Sequence, residues 1–184
     1  TVSLQVMAEG FARAGVPVFA ADITGDLSGI SAVGEAKDFI VKRAGDIGHI
    51  FQPDQFSTVF WDVFGEQGHP VRATVTEMGP LLLSRMLDLN DVQEGVLNVA
   101  FRVADENGLA LIDMKDLRAL LDAIVPDPGK KGADDDALAP LRKAAQAFGN
   151  VTRATVGTIQ RQLLVLENQG GAKFFGETAL TLQD

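Results

Sequence analysis

The first fourteen residues place apolar side chains three and four positions apart, at Leu4, Met7, Phe11 and Ala14. This spacing follows the turn of an α-helix, so the four side chains share one face. Gly15 comes next and is typical of a residue that ends a helix, because glycine adopts left-handed backbone angles without steric cost. The pattern therefore predicts a helix over residues 2–14.

Three short apolar runs follow in which the helical period is lost. "VPVFAADI" (16–23), "STVFWDVFG" (57–65) and "PVRATVTEM" (70–78) have the length and the β-branched or aromatic content of strands. Residues 35–48, between the first two runs, have the spacing of a second amphipathic helix. Helix and strand alternate in this order, which predicts the α/β class with a mainly parallel sheet.

After Gly79 the pattern is almost entirely helical. Asn90 and Gln93 have the spacing of a capping box at the start of one helix, and Asp113 is placed to cap another. Residues 150–171 carry a long apolar stripe at helical spacing and end in two glycines. We therefore expect a helical region that follows the α/β region in the chain.

The patterns divide the chain into three parts. We expect an α/β part over residues 1–78, a helical part over 79–170 and a return toward the α/β part over 171–184. The last part holds an apolar anchor at Phe174–Phe175, and "ALTL" (179–182) predicts the start of another strand.

Composition removes several classes of function. The 184 residues include no cysteine, which excludes disulfides and thiolate metal sites, and the two histidines, His49 and His69, lack metal-site spacing. The net charge of −9 argues against a free-standing nucleic-acid binder, because duplex affinity comes mainly from Lys and Arg. No apolar run reaches the roughly 18 residues of a membrane-spanning helix, and the start lacks signal-peptide features. We expect a soluble cytoplasmic protein.

Four long strings of the sequence resemble the YjgR branch of the HerA–FtsK superfamily of P-loop ATPases. They are "TVSLQVMAEGFARAGVPVFAADITGDLSGI", "FWDVFGEQGHPVRATVTEMGPLLLSRMLDLNDVQEGVLNVAFRVADE", "GNVTRATVGTIQRQLLVLENQGG" and "KFFGE". The resemblance covers nearly the whole chain and is weakest over residues 126–148. It implies part of a P-loop NTPase sheet of the RecA/FtsK-like type over residues 1–78, with a mostly helical insertion. It also implies a segment of an ATP-hydrolysing motor, a DNA translocase or helicase-like ATPase.

Thr1 resembles the last residue of that family's phosphate-binding loop, which ends in Gly-Lys-Thr and continues as Val-x-Leu-Gln. The resemblance implies that the Thr1 hydroxyl binds Mg²⁺ beside ATP. The loop's lysine would precede Thr1 and the Walker B acids would follow Asp184, so we expect an internal piece of a longer ATPase that is inactive alone. The resemblance implies ATP and DNA as partners. It also implies sister subunits that assemble into a ring, which could be a hexamer.

The loop "ADITGDLSG" offers two candidate site residues. Asp22 and Asp26 follow the first predicted strand, at the edge of an open α/β sheet where ligands bind. The sequence predicts that they face nucleotide or metal. The alternative is that Asp22 caps the strand end and that Asp26 or Ser28 completes a turn.

The string "FWDVFGEQGHP" holds Trp61, Asp62 and His69. Trp61 is interpreted as a core residue rather than a base-stacking platform, and His69 as structural rather than a general base. Asp22 and Asp62 both end predicted strands, which leaves open a non-enzymatic α/β module such as a receiver-like signalling domain. A receiver would also need an acidic pair after its first strand and a lysine after its last, and the sequence lacks both.

Catalytic residues stay unassigned from the sequence. Ring ATPases often supply an arginine to the neighbouring subunit's γ-phosphate, and the candidates in the helical part are Arg85, Arg102, Arg153 and Arg161. For each of them a surface salt bridge is the favoured interpretation. Gln160 and Gln162 are interpreted as the exposed face of a packed helix, and "KKGADDD" (130–136) as a solvated loop rather than a metal site.

Overall fold

The computed structural model describes residues 2–126, 136–149 and 151–177, and it is mostly helical. Two compact units are present, Thr1–Phe60 and Trp61–Asp184. The helices are α1 Val2–Arg13, α2 Asp38–Asp46, α3 Val75–Met86, α4 Asp91–Glu106, α5 Met114–Ile124, α6 Ala139–Phe148, α7 Arg153–Leu166 and α8 Ala172–Phe174. Short 3₁₀ helices span Asp26–Ser31 and Asp136–Leu138, and a π-helical turn spans Glu167–Gly171. A two-stranded parallel sheet joins β1 Trp61–Asp62 to β2 His69–Pro70.

The first unit confirms the two predicted helices. α1 ends at Arg13, and Gly15 lies just beyond its last turn, as expected, with a φ of 76°. The Val16 N–H donates to the Phe11 carbonyl at 2.9 Å and the Gly15 N–H donates to the Ala12 carbonyl at 3.0 Å. These two bonds form a Schellman motif, which satisfies carbonyls that the helix end would leave open.

The predicted strand over residues 16–23 is not formed. No other strand is hydrogen-bonded to this run among the described residues, and Phe19 is 80% exposed. A strand acquires its ladder of hydrogen bonds only from a neighbour, and the described part of the first unit provides none. Ala44 is the one buried residue among those described in this unit.

The other two predicted strands are much shorter than the sequence indicated. Residues 57–65 supply only Trp61–Asp62, and residues 70–78 supply only Pro70 and an isolated bridge at Ala73. From Val75 onward the chain is helical, so the strand prediction there is wrong. The reason is a capping box, in which the Thr74 hydroxyl accepts the Glu77 N–H and the Glu77 carboxylate accepts the Thr74 N–H. The β-branched residues at 71–76 had suggested a strand.

The second unit is built around α4, α5 and α7, with α3 and α6 packed against them. Its largest fully buried side chains are those of Leu83, Leu97, Leu117, Leu121, Ile159 and Leu163. The predicted caps are confirmed, since Asn90 and Gln93 form a capping box and the Asp113 carboxylate accepts the Lys115 and Asp116 N–H groups. These caps set where α4 and α5 begin, and so which faces reach the core.

The end of the described chain packs on the second unit. Phe175 is 4% exposed, which confirms the apolar anchor, while the strand predicted at 179–182 lies outside the described residues. The α/β class is compatible with the structure, although the sheet is small. The three-part domain scheme stays a prediction. None of the described helices combines the length and the apolar character needed to cross a membrane.

Candidate functional site

The Asp22 carboxylate organises the loop that follows residues 16–21. Its Oδ2 accepts the Leu27 N–H at 2.8 Å, and its Oδ1 accepts the Thr24 N–H at 3.2 Å. The hydrogen bond from the Leu27 N–H holds the pKa of Asp22 below its usual range, and the Thr24 and Gly25 donors lower it further. Asp22 is therefore ionised near neutral pH, and its hydrogen bonds shape residues 22–27.

Asp26 lies beside Asp22 through a shared threonine. The Thr24 hydroxyl is 3.2 Å from Asp22 Oδ1 and 3.0 Å from Asp26 Oδ2, so its single proton can be donated to either carboxylate. The two predicted site residues are thus brought together on one exposed loop. The Gln5 side chain donates to the Asp26 carbonyl at 2.7 Å, which ties this loop to the first half of α1.

The donor set of the loop is chemically suited to magnesium. Carboxylate and hydroxyl oxygens are the hard ligands that Mg²⁺ prefers. Protein sites for Mg²⁺ often supply one or two carboxylates, and waters and substrate phosphates supply the other ligands. Among the described residues, no group of three or more His, Asp or Glu side chains could hold a metal by itself. Any Mg²⁺ here would take its remaining ligands from water or from a bound phosphate. Thr1, the other predicted ligand, lies outside the described residues.

Asp62 has the same structural role in the second unit. As the last residue of β1, it accepts the N–H groups of Phe64 at 3.0 Å, Glu66 at 2.7 Å and Gln67 at 2.9 Å. These donors, with Gln67 the strongest, hold its pKa below the usual range. Both oxygens are occupied by the turn that joins β1 to β2, which explains Asp62 without a ligand.

Trp61 and His69 face each other across the two strands. They are register partners, and their rings are 5.6 Å apart at a tilt of 53°. Trp61 is 37% exposed, so the prediction that it is a core residue is wrong. The strands are only two residues long, and a ring on so small a sheet stays at the surface.

Two of the four candidate arginines have partners close to them in sequence. Arg102 pairs with Glu106 at 2.6 Å and lies over the Phe148 ring, and Arg161 donates to the Thr158 hydroxyl at 2.8 Å. The salt-bridge interpretation is therefore confirmed for Arg102. Arg85 is exposed on α3 and Arg153 is the first residue of α7.

A fifth arginine, Arg118, has partners that no sequence pattern indicates. Its Nη2 is 2.9 Å from Glu167 Oε2, and both side chains are more than two-thirds buried. Arg118 also lines an open cavity of about 250 Å³ with Asp122, Gln160 and Leu164. Gln160 was predicted to lie on an exposed helix face. Instead, its side chain donates a hydrogen bond to Asp122 Oδ1 at 2.7 Å. These partners are distant in sequence, so no local spacing could have revealed them.

The family described as "Helicase HerA-like C-terminal" matches residues 1–184. Among curated proteins and among solved structures, no match was found. The match covers both units, including the loop around Asp22 and the Arg118 region.

Proposed function

The chain belongs to the HerA-like helicase C-terminal family, and from this membership we propose that it is a segment of an ATP-hydrolysing motor. The match over the whole chain is the observation that carries the proposal. We place the chain in the YjgR branch on the strings quoted above. The proposed assembly is a cytoplasmic ring of identical subunits. DNA is proposed as a partner of the ring only, since the net charge of this segment is −9.

The proposed nucleotide site is at the start of α1. α1 begins at Val2, and the N–H groups at a helix start attract phosphate because they lack partners within the helix. We assign the Thr1 hydroxyl as a ligand of Mg²⁺ beside the ATP phosphates. A bound Mg²⁺ neutralises the charge that develops on the phosphates during transfer.

The loop around Asp22 is proposed to border this site. The hydrogen bond between Gln5 and the Asp26 carbonyl supports this, because it holds the loop against the first half of α1. We assign Asp22 as a positioning residue, since loop donors occupy both of its oxygens. We propose that Asp26 is the loop residue that faces the bound Mg²⁺.

We also propose that the first unit belongs to a P-loop NTPase sheet in the complete assembly. The run at 16–23 supports this, since Val18 is 46% exposed, Phe19 80% and Ile23 101%. An apolar run of this kind is typical of a parallel strand that is covered on both faces. In the proposed assembly, neighbouring strands and helices provide that cover.

Steady-state ATP hydrolysis by the protein that carries this chain tests the proposal at Thr1. Thr1→Ala removes the hydroxyl and is expected to lower Mg²⁺-dependent turnover by about 100-fold, because a metal contact contributes several kcal/mol to charge stabilisation. Thr1→Ser keeps the hydroxyl and is the matched control, with turnover expected near that of the unsubstituted protein. Equal turnover in the alanine variant would refute the assignment. Coincident thermal melts of both variants would show that folding is not the cause.

A further inference from the structure

The helix α3 exposes apolar side chains on the side that points away from the core. Leu83 and Leu87 on its other side are buried, and α3 packs on α4. The exposed side, named the α3 face, consists of Leu81, Leu82, Arg85 and Met86. Residues three and four apart are neighbours on a helix surface, so these side chains form one patch. Its three apolar members are each about half exposed.

A second apolar surface lies on α7. The inward residues Ile159 and Leu163 are fully buried. The exposed side, named the α7 face, consists of Arg161, Leu164 and Val165. Leu164 and Val165 are each about half exposed, and they follow Arg161 by three and four residues. Exposed apolar patches with polar edges are typical of interaction surfaces, whereas single exposed apolar residues are not.

An open cavity adjoins the α7 face. Its volume is about 250 Å³, and it is lined by Leu164, Arg118, Asp122 and Gln160. Gln160 donates to Asp122, and Arg118 is paired with Glu167. Because these polar side chains have partners within the chain, the cavity gives no reason to expect a charged ligand. A concave place beside exposed apolar residues suits the anchor side chain of a partner protein.

The two faces have opposite charges at their edges. Asp88 follows the α3 face and Asp91 begins α4, and both are exposed. Arg161 is exposed on α7, a helix that contains two arginines and no acidic residue. A contact between the α3 face and the α7 face therefore brings unlike charges together. A contact of the α7 face with itself would oppose two copies of Arg161, which is unfavourable.

A single copy of the chain cannot join its own two faces. α3 and α7 both pack on α4, and the apolar core holds their inward sides there. The outward sides of two helices that are fixed on a third helix cannot meet, so the α3 face requires the α7 face of another copy. A contact between two different surfaces of identical chains is heterologous, and its repetition closes a ring when the rotation permits.

We propose that the α3 face of one copy packs on the α7 face of a second copy. An apolar side chain of the α3 face fills the cavity beside Leu164, and Asp88 lies toward Arg161. The inference rests on the proposed ring of identical subunits and assigns the surfaces at which neighbouring subunits meet. It depends on no nucleotide chemistry.

Analytical ultracentrifugation of the protein that carries this chain measures the dissociation constant of self-association. Leu82→Glu and Leu164→Glu each place a charge within the apolar contact, and each should raise this constant by about tenfold or more. Leu109→Glu is the matched control, because Leu109 is an exposed leucine between α4 and α5, outside both faces. It should leave the constant unchanged. Unaltered thermal melts of the three variants exclude a folding defect.

A charge exchange tests which two faces meet. Arg161→Asp and Asp88→Arg should each weaken self-association by about fivefold, because each opposes like charges. An equimolar mixture of the two variants should associate as tightly as the unsubstituted protein. In the mixture, every contact between unlike copies again joins an acidic residue to an arginine.

The results separate the contact from the ring. If the unsubstituted protein remained monomeric at all concentrations, both the proposed ring and the contact would be refuted. If it associated and neither Leu82→Glu nor Leu164→Glu weakened association, the ring would stand and the contact would be wrong. Lower melts in these variants with unchanged association would mean that the faces are covered within one protein. A mixture that associates no better than its components would also overturn the pairing.

Discussion

At the scale of single residues, two aspartates act in the same way. Asp22 and Asp62 each follow an apolar run, and each accepts backbone N–H groups from the loop that comes next. A carboxylate that accepts several N–H groups is stabilised in its charged form, which is why the pKa of both is lowered. Both side chains are therefore tied to loop geometry before any ligand is considered.

Asp62→Asn should lower the free energy of unfolding at neutral pH. In acid, where the carboxylate is protonated, the difference between the two proteins should disappear. The folded-state pKa of Asp62 lies below the unfolded value, so its contribution is fully present above the unfolded value of about 3.9. It is lost as the pH falls through the folded-state pKa. Urea unfolding at pH 7 and at a series of pH values below 4 measures the difference between the two proteins.

Asp105→Asn is the control for this charge effect. Asp105 is exposed on α4, and its carboxylate accepts no hydrogen bond among the described residues. Its substitution should not lower the unfolding midpoint. If Asp62→Asn were as stable as the unsubstituted chain at pH 7, the turn would not depend on this carboxylate.

The positions of these aspartates could be predicted from the sequence, but their hydrogen-bond partners could not. The patterns place Asp22, Asp26 and Asp62 after apolar runs, and they allow Asp22 to cap the end of the run before it. What could not be foreseen was the Thr24 hydroxyl between Asp22 and Asp26, or the pairing of Arg118 with Glu167. Such contacts depend on loop angles and on helix packing, and neither leaves a spacing in the sequence.

At the scale of elements, four helices end in the same motif. α1, α2, α3 and α4 each close with a pair of Schellman bonds, and the left-handed position is Gly15, Gly48, Asp88 and Gly108 respectively. Asp88, with a φ of 49°, is the one described non-glycine residue with positive φ. Left-handed angles crowd the Cβ of an L-residue. The end of α3 is therefore strained where the other three are not.

Asp88→Gly should stabilise the chain by about 1 kcal/mol, because glycine removes the left-handed penalty at this position. The measurement is the free energy of unfolding in urea. Gly108→Ala is the matched reverse substitution, since Gly108 has a φ of 63° and no atom within 4 Å of an added Cβ. It should destabilise by a similar amount. A neutral or destabilising Asp88→Gly would mean that the Asp88 side chain makes a contribution that offsets the strain.

Helices were more predictable than strands for a physical reason. Helix signals are local, so the caps at Asn90 and Asp113 and the glycine at Gly15 were found from the sequence. A strand signal gives no information about the neighbouring strand that must pair with it. The run at 16–23 has no such partner among the described residues. At 70–78 the β-branched content competed with the Thr74–Glu77 capping box, and the local cap prevailed from Val75 onward.

At the scale of the whole molecule, the two units differ in how many apolar side chains they bury. The second unit has a continuous apolar core, while the first buries only Ala44 among its described residues. Burial of apolar surface is the main favourable term in folding, so the described residues of the first unit gain much less from it than those of the second. Membership of the HerA-like family, together with this difference, favours the motor proposal, in which the first unit lies within a larger sheet.

We propose above that the start of α1 holds the phosphates of ATP. The most direct measurement is a structure of the protein that carries this chain, bound to Mg²⁺ and a non-hydrolysable ATP analogue. We predict the phosphates at the N-terminal end of α1 and the Thr1 hydroxyl oxygen about 2.1 Å from Mg²⁺. A nucleotide bound away from α1, or a Mg²⁺ that Thr1 does not contact, would contradict the proposed nucleotide site.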